Sequence, residues 1–288
     1  MMPLEQFLAR AEAVLARLEN LLPSAIEIVN WEAPSVAYRW RRRNGRGTLQ
    51  PITHSAKISL PDLYFIDRQK ALLERNTRQF IKGKPANNVL LTGARGTGKS
   101  SLIRACLNQF ADEGLRLIEV DRNDLVDLMD IGELIALRPE RFILYCDDLS
   151  FDEGDGSYRT LKAVLDGSVA AQPENMLIYA TSNRRHLLAE RMSDNAGYAR
   201  GNDGDIHPGE TVEEKISFSD RFGLWLSFYP FNQNEYLTIV GHWLRSYGCS
   251  DVLVDGARTE ALQWALHRGS RSGRTAWQFA RDFAGRHL

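Results

Sequence analysis

Residues 93–100 read Gly-Ala-Arg-Gly-Thr-Gly-Lys-Ser and follow the apolar run Val89-Leu90-Leu91-Thr92. This is the spacing G-x-x-x-x-G-K-[ST] between an expected strand and an expected helix, the setting of a phosphate-binding loop. The glycines let backbone N–H groups close around a polyphosphate, which demands positive φ and no Cβ. Lys99 adds a point charge for the outer phosphates and Ser100 a hydroxyl for Mg²⁺. The following helix adds the positive end of its dipole. A chain carrying this loop is committed to strand–loop–helix geometry with the strand in a sheet interior. The residues expected around the phosphates are Gly93, Ala94, Arg95, Gly96, Thr97, Gly98, Lys99, Ser100 and Ser101.

Beyond the loop the chain alternates. Strands are expected at Val89–Thr92, Leu115–Val120, Phe142–Asp147, Leu177–Thr181 and Leu224–Phe228. Helices fall near Lys99–Phe110, Asp124–Leu137, Tyr158–Val169 and Arg184–Arg191, with another over Asp67–Lys82 ahead of the loop. Repeated βα units of this length predict a parallel sheet covered on both faces. Residues 193–215, rich in Gly, Asp, Asn and Glu, interrupt the rhythm and read as a mobile insertion. After Pro230 the pattern is helical only, at Gln233–Ser246, Arg258–Arg268 and Arg274–Arg286. At the other end, Leu4 to Leu22 forms an amphipathic helix bounded by Pro3 and Pro23. Val36, Tyr38 and Trp40 then alternate into Arg41-Arg42-Arg43-Asn44-Gly45-Arg46, a hairpin with a basic tip. The expected division is therefore 1–57 for helix and hairpin, 58–229 for the α/β domain and 230–288 for a helical domain.

Two strand ends carry polar groups. Arg141-Phe-Ile-Leu-Tyr-Cys-Asp147-Asp148 is a buried strand ending in an acid pair. It delivers carboxylates to the carboxyl edge of the sheet, where open α/β sheets bind ligands. Asp147 is assigned to the metal and Asp148 to the attacking water. Leu177-Ile-Tyr-Ala-Thr-Ser-Asn183 ends in a second polar cluster. There Asn183 either meets the outer phosphate and the water or caps the next helix, and Ser182 competes for either task.

Loop, acid pair, strand-end Asn, a later Arg and a terminal helical segment occur in the order of the AAA+ ATPase superfamily, which the chain resembles over residues 58–288. The resemblance implies a P-loop NTPase three-layer α/β sandwich with a five-stranded parallel sheet, order 5-1-4-3-2, followed by a small α-helical lid. It implies ATP and Mg²⁺ as cofactors, ATP hydrolysis, and a homo-oligomer that remodels or loads a macromolecular partner. Ser219-Asp-Arg221-Phe-Gly223 resembles the segment presenting an arginine finger to a neighbouring subunit, which assigns Arg221. Ser272-Gly-Arg274-Thr275 resembles the second sensor, assigning Arg274, with Arg271 as the nearby competitor. Leu63–Lys70 falls where the family contacts adenine, which places Ile66 on the base; Phe65 stands where the family has Gly. More narrowly, Pro85-Ala-Asn-Asn, Cys146-Asp-Asp-Leu-Ser-Phe and Ala180-Thr-Ser-Asn-Arg-Arg-His-Leu resemble an uncharacterised bacterial AAA+ family. The family's acid pair is usually Asp-Glu. Asp148 is one methylene shorter, so hydrolysis is expected to be slow.

The remaining signals bound the partners. The chain has 288 residues and a formal net charge of −1, so no global basic field advertises nucleic acid. A local contact through Arg39–Arg46 interleaved with Tyr38 and Trp40 is the alternative, set against the same arginines pairing with acidic surface. Residues 121–130 lack the aromatic-Gly loop of polypeptide-threading relatives. Cys106, Cys146 and Cys249 have no metal or disulfide spacing. With no membrane-crossing run and no leader, the expected location is the cytoplasm. A nucleotide-dependent switch with little turnover is the second functional reading. A metabolite kinase is a distant third, opposed by Asn183, Arg221 and the helical segment.

Overall fold

The structure is a computed structural model that describes residues 31, 35–43, 46–53, 57–151, 156–166, 172–184, 199–200, 206–207 and 220–288, together with 10, 12 and 14. Of the expected N-terminal helix only Arg10, Glu12 and Val14 are described, each helical and exposed. The expected helix Arg184–Arg191 lies almost wholly outside the described residues.

In chain order the strands are β1 (Ala37–Arg43), β2 (Arg46–Pro51), β3 (Val89–Gly93), β4 (Leu115–Glu119), β5 (Arg141–Cys146), β6 (Met176–Ser182), β7 (Ala199–Arg200), β8 (Ile206–His207) and β9 (Leu224–Phe228). The helices are α1 (Asp67–Ile81), α2 (Lys99–Phe110), α3 (Leu128–Ile135), α4 (Gly156–Leu165), α5 (Gln233–Ser246), α6 (Asp251–Gly256), α7 (Arg258–His267) and α8 (Gly273–His287). One seven-stranded sheet has the order β2-β1-β4-β5-β6-β3-β9. Within it β9-β3-β6-β5-β4 are mutually parallel. The register sets Thr92 opposite Ser182 and Gly93 opposite Phe228, so these carboxyl ends come out together at one edge. Central strands β3 and β6 are apolar through most of their length because both faces are covered.

The expected five-stranded sheet is thus two strands short. The basic hairpin adds to the sheet, with β1 parallel to β4 and β2 antiparallel outside it. Tyr38 and Trp40 are buried on one face of β1. Arg39, directly across from Glu119, bonds that carboxylate at 2.7 Å. Arg41 pairs with Asp121 at 3.2 Å and Arg42 with Asp127 at 3.5 Å, while the Trp40 indole donates to Asp127 at 3.0 Å. The expected single helix 124–137 is also divided, into a 3-10 turn over Arg122–Asp127 and then α3. The division falls at Asp127, the residue the hairpin binds. Of residues 193–215, β7 and β8 are described as a short antiparallel pair.

Helices α1 and α2 cover one face of the sheet through Leu73, Phe80, Leu102, Ile103, Leu107 and Phe110. On the other face lie α3 and α4, through Leu128, Ile131, Ile135, Leu161 and Val164. The entry to β3 is braced by the pair Asn87-Asn88. The N–H of Asn87 donates to Asn76 at 3.0 Å, and the Asn88 side chain accepts the Ile178 N–H at 2.8 Å. Helices α5–α8 enclose their own core, with Tyr236, Leu244, Ala276 and Phe279 buried at its centre. Its first helix starts at a capping box in which Asn232 and Glu235 bond each other's backbone. The six-residue α6, capped at Ser250, has too short a period to read from sequence.

Gly47 marks the closest fit of the hairpin, since a Cβ there would lie 1.7 Å from the Trp40 indole. Gly47→Ala is expected to dislodge Trp40 from Asp127 and cost about 1–3 kcal/mol, measured as a lower urea midpoint at unchanged slope.

Candidate functional site

The loop between β3 and α2 closes as the glycine spacing requires. Gly96 has φ 74°, and a Cβ on it would sit 2.7 Å from Ser272 Oγ and 3.1 Å from Arg274 Cβ. The loop and the lid therefore touch at a bare α-carbon. The Arg274 N–H also reaches the Gly96 carbonyl at 3.4 Å. At the start of α2, Gly98 serves as N-cap with φ 106°.

Lys99 is buried beneath this loop. Its Nζ donates to the carbonyls of Gly93 at 2.6 Å and Ala94 at 2.8 Å, and to Asn183 Oδ1 at 3.1 Å. Burial lowers its pKa to about 8, with Arg274 and Arg95 adding to the fall and Asp147 and Asp148 opposing it. Without a ligand this ammonium is thus stored on neutral oxygens, and a polyphosphate offers it full negative charge.

One residue on, Ser100 Oγ donates to Asp147 Oδ1 at 2.8 Å. Thr181 Oγ1 donates to the same oxygen at 2.5 Å. Burial pushes the Asp147 carboxyl upward, but the hydrogen bonds from Thr181 and Ser100 outweigh it and hold the group below its usual range. Asp148 turns the chain with φ 52°, left-handed backbone that Asp tolerates better than most residues. Its carboxylate accepts from Asn183 Nδ2 at 2.5 Å and from Arg95 at 3.3 Å.

These groups line a cleft of about 640 Å³, together with Arg95 through Ser101, Arg104 and Arg274. Apolar and aromatic side chains, Tyr64, Ile66, Phe231, Trp243 and Trp277, line the same cleft. Arg274 lies in this cleft, whereas Arg271 lines a separate hollow of about 370 Å³ beside Ala94 and Pro230. Ile66 is buried at the cleft, and Phe65 before it holds φ 61°. The left-handed turn is kept although Phe stands where the resemblance places Gly. Tyr64 donates to or accepts from His242 Nδ1 at 3.1 Å, tying this stretch to α5 of the lid.

Arg221 is elsewhere. It precedes β9, at the amino edge of the sheet, and its guanidinium is paired with Asp166 beyond the end of α4. It does not line the cleft of its own chain. Sequence reasoning missed Thr181 and the contact of Arg95 with Asp148. It also missed Tyr64, Trp243 and Trp277, whose separation in sequence hides their convergence. Thr181 carried one signal: a hydroxyl two residues before Asn183 on the same strand tip.

A family model described as "Protein of unknown function (DUF815)" matches residues 33–287. The chain belongs to this family. No curated protein matches the sequence. Among solved structures it is similar to the Thermotoga maritima RuvB Holliday junction branch migration motor, with TM-score 0.50 and 15% identity over 77% of this chain and 63% of that one. A point variant of the same motor gives the same figures. A chain of the Escherichia coli MS115-1 HORMA:CdnC:Trip13 complex is similar at TM-score 0.46 and 13% identity, over 77% and 90% of the two chains. The likeness to RuvB is one of fold: this DUF815 member shares its α/β fold with a largely parallel sheet and spans 63% of the RuvB chain.

Replacing Lys99 by Ala removes a charged donor buried under the loop. Lys99→Ala is expected to weaken ATP binding by at least about 30-fold, the equivalent of one hydrogen bond to a charged group, in a fluorescent-nucleotide titration.

Proposed function

We propose that this chain is an ATP hydrolase of the AAA+ kind that uses Mg²⁺ and assembles as a homo-oligomer to remodel or load a macromolecular partner. The observation that carries this reading is the meeting of Lys99 with Asn183, and of Ser100 with Asp147, beside the phosphate loop in a cleft that aromatic side chains also line.

On this reading the backbone N–H groups of Gly96 to Ser101 wrap the phosphates. Lys99 leaves the Gly93 and Ala94 carbonyls for the outer phosphate oxygens. Arg274 reaches the same phosphates from the lid, and Ile66 packs on the base. Ser100 and Asp147 fit Mg²⁺: they are hard oxygen donors, already in contact, and Mg²⁺ prefers few protein ligands beside phosphate and water. When bound, the ion neutralises charge on the outer phosphates. Asp148 accepts the proton of the attacking water, and Asn183, already on its carboxylate, orients that water. Arg221, distant from its own cleft, serves the phosphate of an adjoining subunit.

A second reading, a nucleotide-dependent switch or loader with little turnover, draws support from Asp148. Its short side chain is occupied by both Asn183 and Arg95, and those contacts compete with a water for its oxygens. Nucleic acid remains the less favoured partner. RuvB acts at Holliday junctions by its name, but the hairpin arginines 39, 41 and 42 of this chain are already paired with Glu119, Asp121 and Asp127. The proposed location is the cytoplasm; no helix among the described residues is long and apolar enough to cross a membrane.

Phosphate release separates the two readings. Asp148→Asn is expected to keep ATP bound and to lower turnover by about 10²-fold or more; turnover equal to the wild type removes Asp148 from the chemistry. Mixing Arg221→Ala with Lys99→Ala subunits is expected to restore part of the activity each lacks alone. No recovery on mixing would remove the trans role of Arg221.

A further inference from the structure

The tip of β6 holds a side chain outside the roles assigned so far. Thr181 is 1% exposed, and its hydroxyl is spent entirely on the acid pair of the neighbouring strand. Oγ1 donates to Asp147 Oδ1 at 2.5 Å and accepts the backbone N–H of Asp148 at 3.0 Å. The Thr181 carbonyl accepts the N–H of Leu149 at 2.7 Å. One residue on β6 therefore ties down three consecutive residues after β5.

The geometry matters because Asp148 sits at φ 52°. Left-handed backbone is uncommon at a residue with a Cβ, even one as tolerant as Asp, and it persists where neighbours hold it. Here the bond into the Asp148 N–H fixes the turn, and the turn aims the carboxylate at Asn183. The same hydroxyl, by donating to Asp147, orients that carboxylate toward Ser100. Both acids thus take their direction from one buried oxygen.

We propose that Thr181 is the positioning residue of the acid pair, setting Asp147 for the metal and Asp148 for the water through a single hydroxyl that donates to one and accepts from the other. This rests on the ATP hydrolase reading above. It differs from a packing role, because Val has the same branched shape and lacks only the hydroxyl. In Thr181→Val, Asp147 loses a donor and the Asp148 N–H is left without its acceptor.

The test compares wild type, Thr181→Val and Thr181→Ser in the full chain. Four quantities are read: melting temperature, ATP affinity in EDTA, Mn²⁺ affinity of the ATP complex by electron paramagnetic resonance, and kcat with KM. Thr181→Val is expected to bind ATP in EDTA as the wild type does. Its Mn²⁺ affinity and kcat should fall by about 10- to 100-fold, as for other groups that orient metal ligands, with KM nearly unchanged. Thr181→Ser, which keeps the oxygen, should recover most of both. Wild-type Mn²⁺ affinity and kcat in Thr181→Val overturn the proposal. So does a Thr181→Ser variant as impaired as Thr181→Val, which would make the methyl the important group. If Thr181→Val does not fold, Thr181→Ala enters the same comparison against Thr181→Ser. A wild type that hydrolyses no ATP defeats the hydrolase reading instead, and the Mn²⁺ titration then decides the role of Thr181 alone.

Discussion

A buried ammonium group is the interaction around which this site is arranged. Lys99 enters the base of the loop with little solvent, resting on two backbone carbonyls and an amide oxygen, and among the described residues no carboxylate bonds it directly. An amine in such a place is costly unless a strong anion arrives. The loop carbonyls that hold it belong to the end of β3, and the amide belongs to the end of β6, so the cation also reports how those two strands are registered. If Thr92 and Ser182 were not paired across the sheet, Asn183 would not reach Lys99. Electrostatics at the site and hydrogen bonding in the sheet are in this sense one construction.

The parts of the site legible in the sequence were those written contiguously. The loop 93–100, the acids at 147–148 and Asn183 each follow an apolar strand directly, and a parallel sheet brings such ends to one edge whatever else the chain does. What escaped reading depends on distant partners. The pairing of β1 with β4 needs residues about eighty positions apart, and an alternating hairpin with a basic tip gives no hint of which edge it will join. Its arginines read either as a phosphate contact or as partners of acidic surface, without saying which acids. In three dimensions Arg39, Arg41 and Arg42 neutralise acids at the end of β4 and just after it.

The aromatic lining of the cleft was hidden for a related reason. Tyr64, Trp243 and Trp277 come from the stretch before α1 and from two lid helices, and each alone reads as an ordinary apolar residue on a helix or turn. Phe65 was obscured by its identity. A left-handed backbone is read from glycine, and here the conformation persists under a phenylalanine. The helical span 124–137 read as continuous because its composition permits a helix throughout; the division falls at Asp127, which is bound from outside by Trp40 and Arg42.

The bare α-carbon of Gly96 has a mechanical consequence. Ser272 and Arg274 lean on it at van der Waals distance, with no side chain between to act as a cushion. Any guest that swells or tightens the loop pushes directly on the first turn of α8. That helix packs along α5 in the shared core of the C-terminal bundle. Tyr64 and His242 make a second tie between α5 and the stretch before α1, so the bundle is joined to the α/β body both at the phosphate loop and at the residues ahead of it.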